Sequence, residues 1–288
     1  MRVYFLLLAL IFTTISCGHR TNNDAEEEAR KDLRERKGWY YSFPLNGDVK
    51  SVIATDYEVL DRFGELEKGD IISRKIYHFN RKGDVTEINT YDESGCLFWK
   101  EIYRYDQIGN IIEELEYDWD GDLITKYCSK YDSNNYRTEF SQYEGDDFCL
   151  SQRFYENDAD GRVIKCTGWN QDGRINLTCS YKYDARGNII EDCTYYSNGD
   201  EECKTIYRYD LNSRLVSEHY YYNNELSLEQ KYNSMGDIVE SIYYNDNSIS
   251  QKSSYKYRKD RTIDKIITYS GDAMIPTSTT EFEIKYKE

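Results

Sequence analysis

Glycines fall on a fixed register along most of this chain. Gly83, Gly109, Gly161 and Gly187 are spaced by 26 residues or by twice that, and Asn135 and Ser213 fill the missing steps. Gly236 continues the series after a shortened unit. A second series, Gly95, Gly121, Gly173 and Gly199, runs between them at the same spacing. A fixed period of this size means a repeat architecture, in which each unit buries its apolar face only against its neighbours.

The unit is YRYDQIGNIIEELEYDWDGDLITKY, residues 103–127. It holds two turns flanked by alternating runs of strand formers. The 30 tyrosines and only two prolines of the 288 residues suit strands. In YDQIGN, Asp106 starts the turn and Gly109 takes the left-handed conformation that closes a three-residue hairpin loop. That pairs Asp106 with Asn110, and DWDGD pairs Asp118 with Asp122 in the same way.

Alternation then sets the faces. One carries Tyr103, Tyr105, Ile111, Leu115, Tyr117, Leu123, Tyr127 and Tyr131; the other carries Arg104, Glu114, Glu116, Lys126 and Lys130. Glu114 is expected directly opposite Lys126, a pair worth roughly 0.2–1 kcal/mol.

The stretches YRYDQIGN, YKYDARGN and IYRYDLNSR resemble YD repeats of the Rhs type, whose pattern is Y-x-Y-D-x-x-G followed by apolar residues. The resemblance covers residues 77–269 and extends weakly upstream. There PLNGDVKSVIATDYEV is similar to the opening hairpin of small repeat lipoproteins from Bacteroidetes-type bacteria. The resemblance implies architecture rather than activity. The toxin-enclosing shell of large Rhs proteins is not expected here, because the repeats are too few and no toxin domain is expected after them.

A continuous antiparallel meander of roughly fifteen strands should twist and curl rather than lie flat. The expected fold is all-β: an elongated, twisted and coiled antiparallel meander of 26-residue double hairpins, with the tyrosine face concave. A tyrosine face left open would be a large exposed patch.

The N-terminus reads as an export signal. Met1-Arg2 supplies a positive charge, and Val3 to Ile15 is an apolar run too short for a comfortable membrane span. Thr14-Ile15-Ser16-Cys17 resembles a bacterial lipobox, with Thr in place of Leu at its first position. It implies lipidation of Cys17. An ordinary secretory signal with an incidental cysteine is the alternative. Residues 24–37 read as a short solvated helix, with Asp24 as cap, Glu27 three residues on and Gly38 as stop. The expected organisation is a signal peptide over 1–16, a tether with this helix over 17–38, and the repeat domain over 39–288.

The formal net charge of −16 leaves no basic footprint for nucleic acid. The expected partners are the membrane, through the N-terminal lipid, and a protein or a glycan. The expected location is the cell envelope, anchored at the outer membrane.

Besides Cys17, seven cysteines remain. Counting from the turns places Cys179 opposite Cys193 and Cys193 opposite Cys203. Export would permit one disulfide among them. Three thiolates could also hold a metal, although a C-x-x-C or histidine spacing is missing. The favoured reading is that they are small apolar fillers, with no metal.

Glu87, Glu113, Glu139 and Glu191 recur in register and are assigned to the tyrosine face. With Tyr103, Tyr105, Tyr181, Tyr183, Tyr207 and Tyr209 they could form a groove for an extended ligand, Glu113 and Glu191 taking hydroxyls. The competing reading, favoured for most of these rings, is a coil interior in which glutamates accept tyrosine hydroxyls. Paired catalytic carboxylates need one unique site, and repetition argues against that. DWDGD lacks the ligand series of a calcium loop and is read as a turn. His19, His78 and His219 are scattered, and no glycine loop that would cradle a cofactor's phosphates opens a helix. The expected function is therefore a non-catalytic binding or interaction scaffold without cofactor. The alternative is a glycoside-acting enzyme with its cleft where the repeat breaks, near 213–236.

Overall fold

The computed structural model describes residues 45, 48–62 and 65–287. Cys17, the signal segment, the tether and the helix expected over 24–37 lie outside the described residues. All regular structure among those described is strand. The chain runs β1 (Val49–Arg62), β2 (Glu65–Phe79), β3 (Val85–Tyr91), β4 (Leu97–Tyr105), β5 (Ile111–Tyr117) and β6 (Leu123–Tyr131). It continues β7 (Arg137–Glu144), β8 (Phe148–Asn157), β9 (Val163–Asn170), β10 (Ile175–Tyr183), β11 (Ile189–Tyr196) and β12 (Glu201–Tyr209). Then come β13 (Leu215–Tyr222), β14 (Glu225–Tyr232), β15 (Ile238–Asn245), β16 (Ser248–Tyr257), β17 (Ile263–Ser270) and β18 (Ile275–Tyr286).

Each strand pairs antiparallel with the next, and β1 pairs antiparallel with β18, Val52 opposite Ile284 and Glu58 opposite Ser278. The 18 strands therefore form a closed barrel. This corrects the expected open coil. An open sheet of this length would leave two rows of unpaired backbone groups, and closure removes both. The closing strands are long: β1 has 14 residues, β2 has 15 and β18 has 12.

The expected turns form. The Asp106 amide donates to the Asn110 carbonyl at 2.9 Å and the Asp118 amide to the Asp122 carbonyl at 3.1 Å. The aspartate works through its side chain: Asp106 Oδ1 accepts the amides of Ile108 at 3.0 Å and Asn110 at 2.8 Å. That bonding is the physical reason for an Asp after the second tyrosine. Gly109 closes the loop at φ 94°, and Asn135 and Ser213 take the same left-handed conformation at 70° and 60°. The series also reaches Arg261, at φ 69°.

Beyond each such turn the register slips by one, because a bulge adds a residue to one strand. Tyr105 faces Ile111, but Arg104 faces Glu113. The face assignment made from the turns is therefore half wrong. Glu114 opposes Tyr127, not Lys126, and Leu115 opposes Lys126. Glu114 and Glu116 share the face of Tyr103 and Tyr127, whereas Glu113 and Leu115 lie on the other.

The tyrosine face is the inner wall. Tyr103 and Tyr207 are 3% and 4% exposed, whereas the side chains of Lys130 and Lys182 on the opposite face are 69% and 64% exposed. The main apolar core sits at the closure, where Val52, Ala54, Tyr77, Val85, Ile263 and Phe282 pack together with Leu45.

The inner wall of the barrel

The outer wall carries a ladder of ion pairs: Arg104–Glu113, Lys130–Glu139 at 2.8 Å, Lys182–Glu191 at 2.6 Å and Lys231–Glu240 at 2.7 Å. The base sits between the two residues of the Y-x-Y motif, or at its equivalent, and the acid nine residues later. In Lys165–Glu156, at 2.7 Å, the two signs are exchanged and the pair survives. A barrel wall that faces lipid presents an apolar band; this wall carries the ion-pair ladder, with Phe154, Ile164 and Val216 among its exposed apolar side chains. No helix among the described residues is long and apolar enough to cross a membrane.

Glu87, Glu113, Glu139 and Glu191 are thus on the outer wall, not beside the tyrosines. Glu87 pairs with Lys100 at 3.3 Å. Hydrogen bonding to Lys182 holds Glu191 below the ordinary carboxylate range. The one-residue bulge is the reason for the misplacement.

The predicted tyrosines do share the inner wall. Tyr103 donates to Glu101 Oε2 at 2.6 Å and Tyr207 to Asp192 Oδ2 at 2.6 Å. Tyr105 reaches back to the Val85 carbonyl at 2.5 Å and Tyr183 to the Val163 carbonyl at 2.7 Å. Tyr181 is half-buried against Cys166 and Cys179, and Tyr209 is half-buried at the equivalent end of β12.

Counting from the turns puts Glu114 and Glu116 on the outer face and leaves out Glu101, Asp192 and Glu218, because the bulge exchanges neighbours such as Glu113 and Glu114 between the walls. Glu101 and Glu116 are direct cross-strand partners, and Glu114 lies beside them opposite Tyr103. Two like charges in this position repel. Burial, with the Glu101 charge adding to it, pushes Glu116 up to about 7 against a hydrogen bond from Thr125. On β13, burial pushes Glu218 up to about 7, with Tyr232 opposing and the Asp192 charge contributing. Asp192 itself is raised by burial, against hydrogen bonds from Tyr207 and Thr205. Arg153 stands between these two acidic sectors, opposite Phe140 and Gly168. Tyr127 and Phe140 stack with centroids 5.7 Å apart and planes at 19°.

A closed sheet of eighteen strands falls in the size range that leaves a lumen rather than a core filled by side chains. Accordingly Glu101, Glu116, Tyr127, Tyr155 and Glu218 are only half-buried. The wall offers phenol hydroxyls, aromatic faces and carboxyl groups that hold or release a proton near neutrality. Among the described residues, no group of three or more histidines, cysteines or carboxylates could hold a metal ion.

The cysteines also move. Cys179 opposes Thr194 and Cys166, and Cys203 opposes Thr194 and Tyr222. Cys193 opposes Ser180 and Lys204 on the outer wall. Cys179 and Cys203 are thus two strands apart, about 9.6 Å at the usual strand spacing, too far for a disulfide. The pairings expected among Cys179, Cys193 and Cys203 do not form. The seven cysteines of the described residues carry free thiols.

The repeat break near 213–236 has a simple cause. Asn223 and Asn224, at φ 47° and 65°, make a two-residue turn, as Asp246 and Asn247 do in the next unit, where the units around Gly121, Gly173 and Gly199 use a longer one. The shortening reflects turn length and opens no cleft in the sheet.

No family model and no curated protein matches the sequence. Among solved structures, the chain is similar to a porin-like protein from Bacteroides uniformis, with 10% identity and TM-score 0.41, over 82% of this chain and 98% of that one. It is similar to the Photorhabdus luminescens Tc holotoxin pore at 13% identity and TM-score 0.30, over 80% of this chain but only 14% of that one. A domain of an outer membrane lipoprotein-sorting protein from Vibrio parahaemolyticus shows 8% identity and TM-score 0.21, over 91% of this chain and 92% of that one. At such identities and TM-scores these likenesses assign neither family nor function.

Proposed function

We propose that this chain is an exported, lipid-anchored protein of the cell envelope whose barrel binds a ligand without transforming it. The observation that carries the binding role is the inner wall, where half-buried tyrosines and carboxylates pushed up toward neutrality recur on a closed sheet wide enough for a lumen. Tyrosine supplies flat, amphipathic contact at low entropy cost, and carboxylates accept sugar hydroxyls. A neutral, hydroxyl-rich glycan fits this chemistry. The net charge of −16 disfavours polyanionic ones. Export and anchoring rest on the apolar run ahead of Cys17, and the ion-pair ladder of the outer wall suits a barrel held beside a membrane rather than within it.

The test is a glycan array on the soluble barrel, followed by calorimetry on any hit. Tyr127→Ala and Glu116→Gln should weaken binding, while Glu113→Gln on the outer wall should not. Equal effects from both walls, or capture of peptides but no glycan, overturn the glycan reading. For the anchor, Cys17→Ala should release the protein from the membrane fraction; unchanged fractionation and lipid labelling would refute it.

A further inference from the structure

Cys166 on β9 and Cys179 on β10 are direct cross-strand partners. Directly opposed residues in an antiparallel pair have Cα atoms about 4.5–5.5 Å apart, inside the roughly 4.4–6.8 Å that a disulfide spans. Both side chains point inward, since Cys166 also opposes Tyr155, and Cys179 also opposes Thr194. They pack with Leu177, Tyr155 and Tyr181 in a second apolar cluster, Cys166 1% and Cys179 8% exposed. The other thiols lack such a partner. Cys96 is exposed in the turn before β4, Cys193 lies on the outer wall, Thr194 stands between Cys179 and Cys203, Cys128 opposes Glu113 and Ser141, and Cys149 opposes Tyr143.

We propose that Cys166 and Cys179 are a disulfide-forming pair, closed by exchange with an external disulfide and locking β9 to β10 on the inner wall. The two cysteines have unequal roles. Hydrogen bonding from Cys166 holds the Cys179 thiol below its ordinary value, helped by Thr194, whose Oγ1 lies 3.8 Å from the sulfur, and by the Arg153 charge, against burial. Cys166 is pushed up by the same contact. Cys179 is also the less deeply buried of the two, 8% against 1% exposed, and is the attacking thiolate. It attacks one sulfur of the external disulfide, forms a mixed disulfide and releases one thiol. Cys166 then gives up its proton and attacks the Cys179 sulfur, and the second thiol leaves. Two protein thiols and one external disulfide become one protein disulfide and two external thiols, so atoms and electrons balance. The proposal does not depend on the glycan reading, because the exchange needs no ligand in the barrel.

The experiment uses the full chain, unfolded and refolded in reduced and oxidised glutathione. Trypsin cuts between the two cysteines at Arg174, so a bond between them links two separate peptides. The expected result is one linked pair of peptides containing Cys166 and Cys179, with the mass lowered by two hydrogen atoms. A reductant should then lower the unfolding midpoint of the oxidised protein. In Cys166→Ser the resolving thiol is gone, and Cys179 should remain as a glutathione adduct. Cys193→Ser should leave the linked peptides unchanged. Retention of both thiols after oxidative refolding, or linkage of Cys179 to any other cysteine, overturns the proposal, and both readouts come from the unsubstituted chain.

Discussion

The Tyr183 hydroxyl donates to the Val163 carbonyl at 2.7 Å, from a position twenty residues later in the chain. The same strut recurs from Tyr131 to Ile111 at 3.0 Å and from Tyr105 to Val85 at 2.5 Å. At the equivalent position Asn157 replaces the tyrosine, and its amide reaches the Arg137 carbonyl at 3.3 Å. The second tyrosine of the motif thus ties each hairpin to the one before it. Tyr183→Phe keeps the ring and removes the bond. It should cost about 0.5–1.5 kcal/mol, read as a lower urea midpoint with unchanged slope. An unchanged midpoint would show that the strut contributes nothing.

The outer ladder predicts a charge-reversal rescue. Lys182→Glu places two acids opposite each other and should destabilise; adding Glu191→Lys should restore most of the loss, as Glu156 and Lys165 already do in reversed order. Lys182 is largely exposed, so the coupling should be only roughly 0.2–1 kcal/mol and should shrink in high salt. A double-mutant cycle in low and high salt reads both quantities. Zero coupling at low salt would count against the ladder.

The inner carboxylates make stability depend on pH in an unusual direction. Glu116 and Glu218 titrate near 7 when folded and near 4.5 when unfolded. Between those values the folded state binds more protons. The stability they contribute is fully present below about 4.5 and is lost as pH rises through 7. Denaturation midpoints should therefore rise as pH falls from 7.5 to about 5. The turn aspartates oppose this only lower down: hydrogen bonds hold Asp106 and Asp184 below their ordinary range, and their contribution is lost further into acid. Glu116→Gln should flatten the profile, and a wild-type midpoint that falls steadily from pH 7.5 to 5 would refute the inner-wall assignment.

Two glycines separate backbone strain from packing. Gly121 has φ +86° and open space where a Cβ would stand. Gly161 has φ +80°, and a Cβ there would run into the Tyr136 ring. Gly121→Ala should cost about 1–2 kcal/mol, the left-handed penalty alone. Gly161→Ala should cost clearly more, and Tyr136→Ala in the same chain should recover part of the excess. Equal costs at the two positions would show that Tyr136 moves aside freely.

Turn positions were legible because left-handed residues and Asp side chains are local chemistry. The turn at Arg261, φ 69°, is not legible in the same way, because arginine carries no left-handed signal. Faces were legible only to the first bulge. One extra residue per turn was enough to exchange Glu113 for Glu114 and to pair Cys179 with Cys193 rather than Cys166. The tyrosines of the candidate site were legible as a repeated pattern. The Glu101–Glu116 contact was not, since both residues sit off the repeated glutamate register. Closure was invisible for a different reason: nothing in β1 or β18 names the other as partner.

The pairing of Val52 with Ile284 has a kinetic consequence. Every other strand contact joins neighbours in the chain, so hairpins can zip in order as the polypeptide is delivered, with low contact order and little loop entropy to overcome. The last step is different in kind. The first strand must wait, edge exposed, through the synthesis of all the others before its partner exists, and loss of the final strand strands the assembly at that waiting stage. Closure of this barrel is thus timed by the arrival of β18, and the interval before that strand docks is when the chain is most exposed to pairing with a copy of itself.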